Sequence, residues 1–164
     1  MKFRDAKQED LPAIVAIYNS TIAGRMVTAD INPVTVADKL DWFKEHTKER
    51  RPLWMVENYE NEVIGWVSFR DFYGRPAYNG TAEISIYLDE KFRGEGFGKK
   101  ILEYAFTNCS SLNIDTLLGF IFAHNAASIK MFTGLGFVEW GNLKDIATMD
   151  NNSYSLKILG KKII

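Results

Sequence analysis

Cysteine is nearly absent: Cys109 is the only one among 164 residues, so no intrachain disulfide can staple the fold. Its neighbours Phe106 and Leu112 suit a semi-buried structural thiol on a helix rather than a nucleophile. Charge of one sign is not in excess either. The formal net charge of -1 gives no basic field to attract nucleic acid, and no block of like charge forms a tail. No apolar run approaches the ~18 residues of a membrane span, and the opening MKFRDAKQED is charged where a signal peptide is apolar. Internal repeats and linkers rich in Ser, Gly or Pro are also missing. These absences predict one soluble, cytoplasmic domain over residues 1–164, without a nucleic-acid or membrane partner and without a metal site.

The elements that are present alternate. Lys2 to Asp5 reads as a short strand, after which Asp10, Leu11 and Pro12 open a helix with Leu11, Ile14, Val15 and Tyr18 on one face. The long loop STIAGRMVTADINP follows. Thr35 then caps a second helix against Asp38, with Val36, Leu40 and Phe43 at helical spacing. LWMVEN and EVIGWVSFRDF, on either side of the polar connector Tyr59 to Asn61, read as a hairpin. The two histidines carry different expectations: His46 is a surface residue at the polar end of a helix, and His124 is a secondary titratable candidate.

The strand TAEISIYLD carries information in its alternation. Ala82, Ile84, Ile86 and Leu88 face one side, while Thr81, Glu83, Ser85 and Tyr87 face the other. A strand flanked in sequence by helices is normally apolar on both faces, so a polar face points to a cavity. The alternative is a solvent-facing side of an antiparallel sheet. Directly after it, KFRGEGFGKKIL joins a strand to a helix through three glycines, an arrangement whose free N–H groups and helix dipole bind phosphate oxygens. Each glycine removes a Cβ that would hold a ligand off the backbone, and Arg93, Lys99 and Lys100 add positive charge. No Gly-Lys-Ser/Thr follows, which excludes a Walker loop, and the dinucleotide spacing G-x-G-x-x-G fails at Phe97-Gly98.

Arg93-Gly94-Glu95-Gly96-Phe97-Gly98 resembles the Arg/Gln-x-x-Gly-x-Gly/Ala signature of the GNAT family of N-acetyltransferases. HNAASIKMFTGLGF, further along, resembles that family's second signature. IYNSTI, VTAD, FYGRPAY and TAEISIYL are similar to the branch containing phosphinothricin and methionine sulfoximine acetyltransferases. The resemblance implies a mixed α+β fold: a mostly antiparallel sheet of about seven strands, flanked by helices on both faces. The strand of Glu83 and the strand TLLGFIF would splay apart to admit a pantetheine arm. It also implies acetyl-CoA as cosubstrate, held by the backbone of Ile86 and Leu88, by Arg93, Gly94, Gly96, Gly98 and Lys99 at the phosphates, and by Asn125 and Ser128 near the pantetheine.

Acetyl transfer to an amine needs a base, because an ammonium with a pKa of about 8–10 is mostly protonated at neutral pH and only the neutral form attacks. Glu83, on the polar strand face and matching the glutamate of the branch's TAE segment, is the expected base. Many relatives place Tyr in the second signature to protonate the departing thiolate; here Phe132 stands there, so no dedicated acid is expected. Arg75 is the candidate clamp for an acceptor carboxylate, with Phe72, Tyr73 and Tyr78 as pocket wall or as part of a homodimer interface. Met26, Val27 and Thr28 would close the pocket. The expected acceptor is a small amino-acid-like amine. The alternatives are a protein N-terminus or polyamine as acceptor, and a CoA-binding sensor without turnover.

Overall fold

A computed structural model describes residues 1–163. In chain order its elements are β1 (Lys2–Asp5), α1 (Leu11–Ser20), α2 (Val36–Lys44), β2 (Leu53–Glu57), β3 (Val63–Asp71), β4 (Thr81–Leu88), α3 (Phe97–Asn108), β5 (Thr116–Phe122), α4 (Ala126–Gly134), β6 (Val138–Met149) and β7 (Asn152–Lys162). The local chemistry follows the sequence closely at α2. Thr35 Oγ1 accepts the Asp38 N–H at 3.2 Å while the Asp38 carboxylate accepts the Thr35 N–H at 2.7 Å, a reciprocal capping box. At α1 the cap differs: the Asp10 carboxylate accepts the Lys7 N–H at 2.7 Å and is held by Arg4, and Pro12 occupies the first turn.

The strands form one sheet in the order β1-β2-β3-β4-β5-β7-β6, antiparallel except between β4 and β5. That parallel contact is short. It pairs Thr81 to Glu83 with Thr116 to Leu118 and then ends, so Ser85 to Leu88 of β4 have a partner on the β3 side only. The sheet is therefore split from this point onward. Helices cover both faces. Ile101, Leu102 and Ala105 of α3 and Phe132 of α4 pack with Val67, Phe69, Ala82 and Ile84 on one face, while Ile14, Ile17 and Tyr18 of α1 pack with Met55 and Trp66 on the other. Burying each such aliphatic or aromatic side chain contributes about 1.5–3 kcal/mol.

Two side chains differ from expectation. Cys109 is fully buried rather than semi-buried; its Sγ donates to the Ala105 carbonyl at 3.3 Å, and burial pushes the thiol up to about 12 against the opposing charge of Arg51. His46 is not a free surface histidine. Its ring packs edge-on against Trp42 at 4.8 Å, its Nδ1 lies 3.1 Å from the Arg51 carbonyl, and burial holds its pKa below the usual imidazole value.

β6 and β7 form a long hairpin that the pattern of apolar residues does not announce. Asp150 and Asn151, at φ 51° and 62°, make the two-residue turn between them, since a hairpin of this length needs positive φ at both central residues. β6 is an edge strand with register shifts between Glu139 and Gly141 and between Leu143 and Ala147.

Candidate active site

The split between β4 and β5 organises everything around it. All nine residues expected to hold the cosubstrate, from Ile86 to Ser128, line one groove of about 810 Å³. The three glycines at its floor act differently. Gly94 and Gly96 sit at φ 82° and 80°, where β-branched side chains are strained, and a Cβ on either would meet no protein atom within 4 Å. The space those absent side chains leave lies open at the N-terminus of α3. Gly98 instead serves packing: a Cβ there would lie 2.9 Å from Met131 Sδ, so glycine lets α3 approach α4.

The Arg93 guanidinium folds back, with Nε at 3.2 Å and Nη2 at 3.1 Å from the Leu88 carbonyl and Nη2 at 3.4 Å from Ser20 Oγ. Its partners here are all neutral acceptors. Lys99 is exposed, with Glu103 as a loose partner at 3.8 Å. Asn125 is committed at both ends of its side chain. Its Oδ1 accepts the Ser128 N–H at 3.1 Å, capping α4, and its Nδ2 donates to the Met26 carbonyl at 3.0 Å. His124 is the next tie in the same strap: its Nε2 lies 2.7 Å from the Arg25 carbonyl, and Arg25 pairs with Asp150 at 2.7 Å. Thus the loop between α1 and α2 is fastened to the start of α4. His124 stands outside the cavity lining and next to Tyr154.

A second cavity of about 310 Å³ opens on the polar face of β4 and merges with the groove through Ile86, Tyr87, Asn125, Ser128 and Met131, which line both. Glu83 and Ser85 form its polar edge. Burial raises the Glu83 carboxyl above the usual carboxylate value, and the nearby positive charge of Arg70 opposes that rise. Tyr87 stacks on Trp66 at 4.4 Å, and burial pushes its hydroxyl upward as well. Thr28 is buried at the cavity edge, with its Oγ1 2.6 Å from the Tyr18 hydroxyl, which also donates to the Asp30 carboxylate. Met26 and Val27 line the cavity beside it. Phe132 lies buried with its ring on Gly119, where a Cβ would stand 2.6 Å from it, and no proton donor occupies that position.

The expected acceptor residues are placed elsewhere. Phe72, Tyr73 and Tyr78 pack on one another with ring centroids 5.7–5.8 Å apart, and Tyr73 is 66% exposed. Phe72 reaches Phe120 at 6.3 Å, one layer behind the cavity wall. Arg75 is exposed, its side chain makes no hydrogen bond or ion pair among the described residues, and it is absent from the cavity lining, as are the three aromatics. The reason is topological: their loop precedes Thr81, the end of β4 still paired to β5, while the split opens toward Leu88. The walls come from Phe120 and Phe122 of β5, Ile146 and Ala147 of β6 and Leu156 of β7. Sequence parity together with the register identifies the first two, since Leu118, Phe120 and Phe122 share the face of Glu83 once Leu118 pairs with Glu83.

Comparison with known proteins agrees with this geometry. The pattern of a family described as an acetyltransferase (GNAT) domain matches residues 1–138. A candidate phosphinothricin acetyltransferase of Bacillus subtilis, YwnH, is 53% identical over 163 residues, covering 99% of each chain. An L-methionine sulfoximine/L-methionine sulfone acetyltransferase of Pseudomonas aeruginosa is 29% identical over 143 residues, 87% of this chain and 83% of the other. Among solved structures, a GNAT superfamily phosphinothricin acetyltransferase of Sinorhizobium meliloti in complex with acetyl-CoA superposes with a TM-score of 0.90 at 26% identity, covering 98% of this chain and 87% of that one.

Proposed function

We propose that this chain, which belongs to the GNAT acetyltransferase family and is an acetyl-CoA-dependent N-acetyltransferase, acts on the α-amino group of a small amino-acid-like acceptor. One observation carries the reading. The groove with the open glycines and the cavity with Glu83 meet at the split in the sheet, so a donor and an acceptor bound in each are brought together there.

The groove fits acetyl-CoA on the chain's own terms: a helix N-terminus, two glycines that leave ligand space, and unpaired strand backbone along Ser85 to Leu88. When bound, acetyl-CoA supplies the thioester carbonyl that the amine attacks. The protein's part is to orient and to deprotonate. Glu83 takes a proton from the acceptor ammonium, directly or through a water, and its raised pKa makes it a stronger base than an exposed carboxylate. Direct transfer within a ternary complex suits a site whose lining holds one carboxylate and no cysteine. Phe132 supplies no proton, and a thiolate with a pKa of about 8.5 departs without one.

A polyamine acceptor is disfavoured by the lining, in which Glu83 is the sole carboxylate among apolar walls. A sensor without turnover has no use for a carboxylate half-buried at this cost. A homodimer belongs to the reading: Tyr73, Trp140 and Ile146 leave apolar surface exposed, and light scattering tests it. The deciding experiment follows CoA thiol release from acetyl-CoA with amino acids, methionine sulfone, methionine sulfoximine, phosphinothricin, spermidine and short peptides. Turnover confined to peptides or spermidine overturns the acceptor assignment.

A further inference from the structure

We propose that Arg25 is a positioning residue for both substrates: paired with Asp150 at the β6–β7 turn, it clasps the loop of residues 21–35 across the split in the sheet. Its guanidinium is a hub. Nε and Nη2 donate to the two Asp150 carboxylate oxygens at 2.7 and 3.2 Å, and Nη1 donates to the carbonyls of Ile22 at 2.9 Å and Ile31 at 3.3 Å. One planar fork thus gathers the two arms of the loop and joins them to the far half of the sheet, a geometry the point charge of a lysine does not reproduce. The backbone continues the clasp. The Arg25 carbonyl lies 2.7 Å from His124 Nε2, and the next carbonyl, that of Met26, accepts from Asn125 Nδ2 at 3.0 Å. Both members of the ion pair stand in the left-handed region, Arg25 at φ 52° and Asp150 at φ 51°, where a non-glycine residue is uncommon and is held by its surroundings.

The residues directly after Arg25 show what the clasp positions. Met26 and Val27 line both the groove and the Glu83 cavity, so a single loop walls the two sites at their junction. On the near side the loop is tied to α1: Asn19 accepts the Val34 N–H at 2.9 Å and donates to the Val34 carbonyl at 2.8 Å, and the Tyr18 hydroxyl lies 2.6 Å from Thr28 Oγ1. Arg25, His124 and Asn125 tie it to the other half. Releasing the ion pair lowers the fraction of molecules in which the loop is closed, and an apparent dissociation constant rises in inverse proportion to the competent fraction. Donor and acceptor share the loop, so both lose affinity by the same factor. Folding is another matter. The Asp150 side chain is 60% exposed, and surface pairs of this kind contribute little to global stability.

The test uses Asp150→Asn, which removes the charge yet keeps a residue that tolerates positive φ at the turn. The dissociation constant of CoA, measured by calorimetry, and KM for methionine sulfone are both expected to rise about three- to five-fold, as the loss of one surface ion pair from the closed loop implies. Arg25→Ala, which also frees the Ile22 and Ile31 carbonyls, is expected to raise both ten-fold or more, and Arg25→Lys to fall between it and wild type. Hydrogen exchange supplies a readout apart from binding: in Asp150→Asn the amides of residues 22–31 are expected to exchange faster while those of α1 do not, with the melting temperature nearly unchanged. Glu139→Gln breaks the neighbouring pair with Lys157 on the same hairpin and is expected to alter none of these. A rise for one ligand alone, no change for either in Asp150→Asn, or an equal effect from Glu139→Gln overturns the clasp. If the wild-type enzyme acetylates no amino acid, the acceptor reading fails, and the CoA and exchange measurements still decide the role of Arg25.

Discussion

Glu83→Gln keeps the size of the side chain and its hydrogen-bonding reach while removing the basic carboxylate. Near pH 7 an acceptor with an amine pKa of about 9–10 is neutral in only ~1 in 10²–10³ molecules. Without a base on the enzyme, only that fraction reacts. The expected loss in kcat/KM is therefore ~10²–10³-fold, within the range for positioned acid-base catalysis and equivalent to ~2.7–4.1 kcal/mol of barrier. No neighbour takes over: Tyr87 is the other titratable side chain in the cavity lining, and burial pushes its hydroxyl away from neutrality. The assay is CoA thiol release with methionine sulfone from pH 6 to 9.5. In the variant the rate is expected to climb as solution supplies neutral amine, and the acidic limb that reports the raised carboxyl of the wild-type enzyme is expected to vanish. Stability separates chemistry from folding. Because the folded pKa is raised, the native state holds a proton over a window above the ordinary glutamate value, and wild-type stability declines as pH rises through it. The glutamine variant lacks that decline, so its melting temperature is expected to match or exceed wild type at pH 7–8. Wild-type kcat/KM at pH 7 in a folded variant would refute the base assignment.

Gly96→Val places a β-branched residue at φ 80° and fills ligand space, so the acetyl-CoA dissociation constant measured by calorimetry is expected to rise at least ten-fold, about 1.4 kcal/mol. Phe132→Tyr is expected to leave kcat within a few-fold of wild type; a large gain would show that thiolate protonation limits turnover. Thr35→Ala removes the acceptor for the Asp38 N–H and is expected to cost ~1 kcal/mol, a fall of about 2–4 °C in melting temperature by calorimetry.

Much of this arrangement is legible in the chain. The cap at Thr35, the alternation of β4 and the glycine turn each encode local geometry through neighbouring residues, and the structure has them as read. Helix α3 begins at Phe97, before Lys99, because Gly96 in the left-handed region already turns the chain into it. The β6–β7 hairpin was the harder part. Register shifts and a positive φ at Asp145 break the period of two, although Asp150-Asn151 is a hairpin signal in its own right. Least legible was the acceptor end. Its walls combine β4, β5, β6 and β7, whose juxtaposition depends on strand register across loops, which no local pattern fixes. The aromatic loop with a central arginine, which reads as a binding loop, lies at the closed end of the split.

That split has a consequence for how the protein comes apart. Between the β1–β4 half of the sheet and the β5–β7 half the ladder is three residue pairs long, and its partners are separated in the chain by the whole of α3. Long-range parallel pairing of this kind forms slowly and opens early, because loop closure precedes any reward. The seam is the natural boundary between two cooperative units in hydrogen exchange. A molecule lying along Ser85 to Leu88 and reaching α4 bridges the two units, so acetyl-CoA should protect the amides of β4 and β5 well beyond those it touches. The enzyme's own substrate then completes a sheet that the polypeptide leaves unfinished.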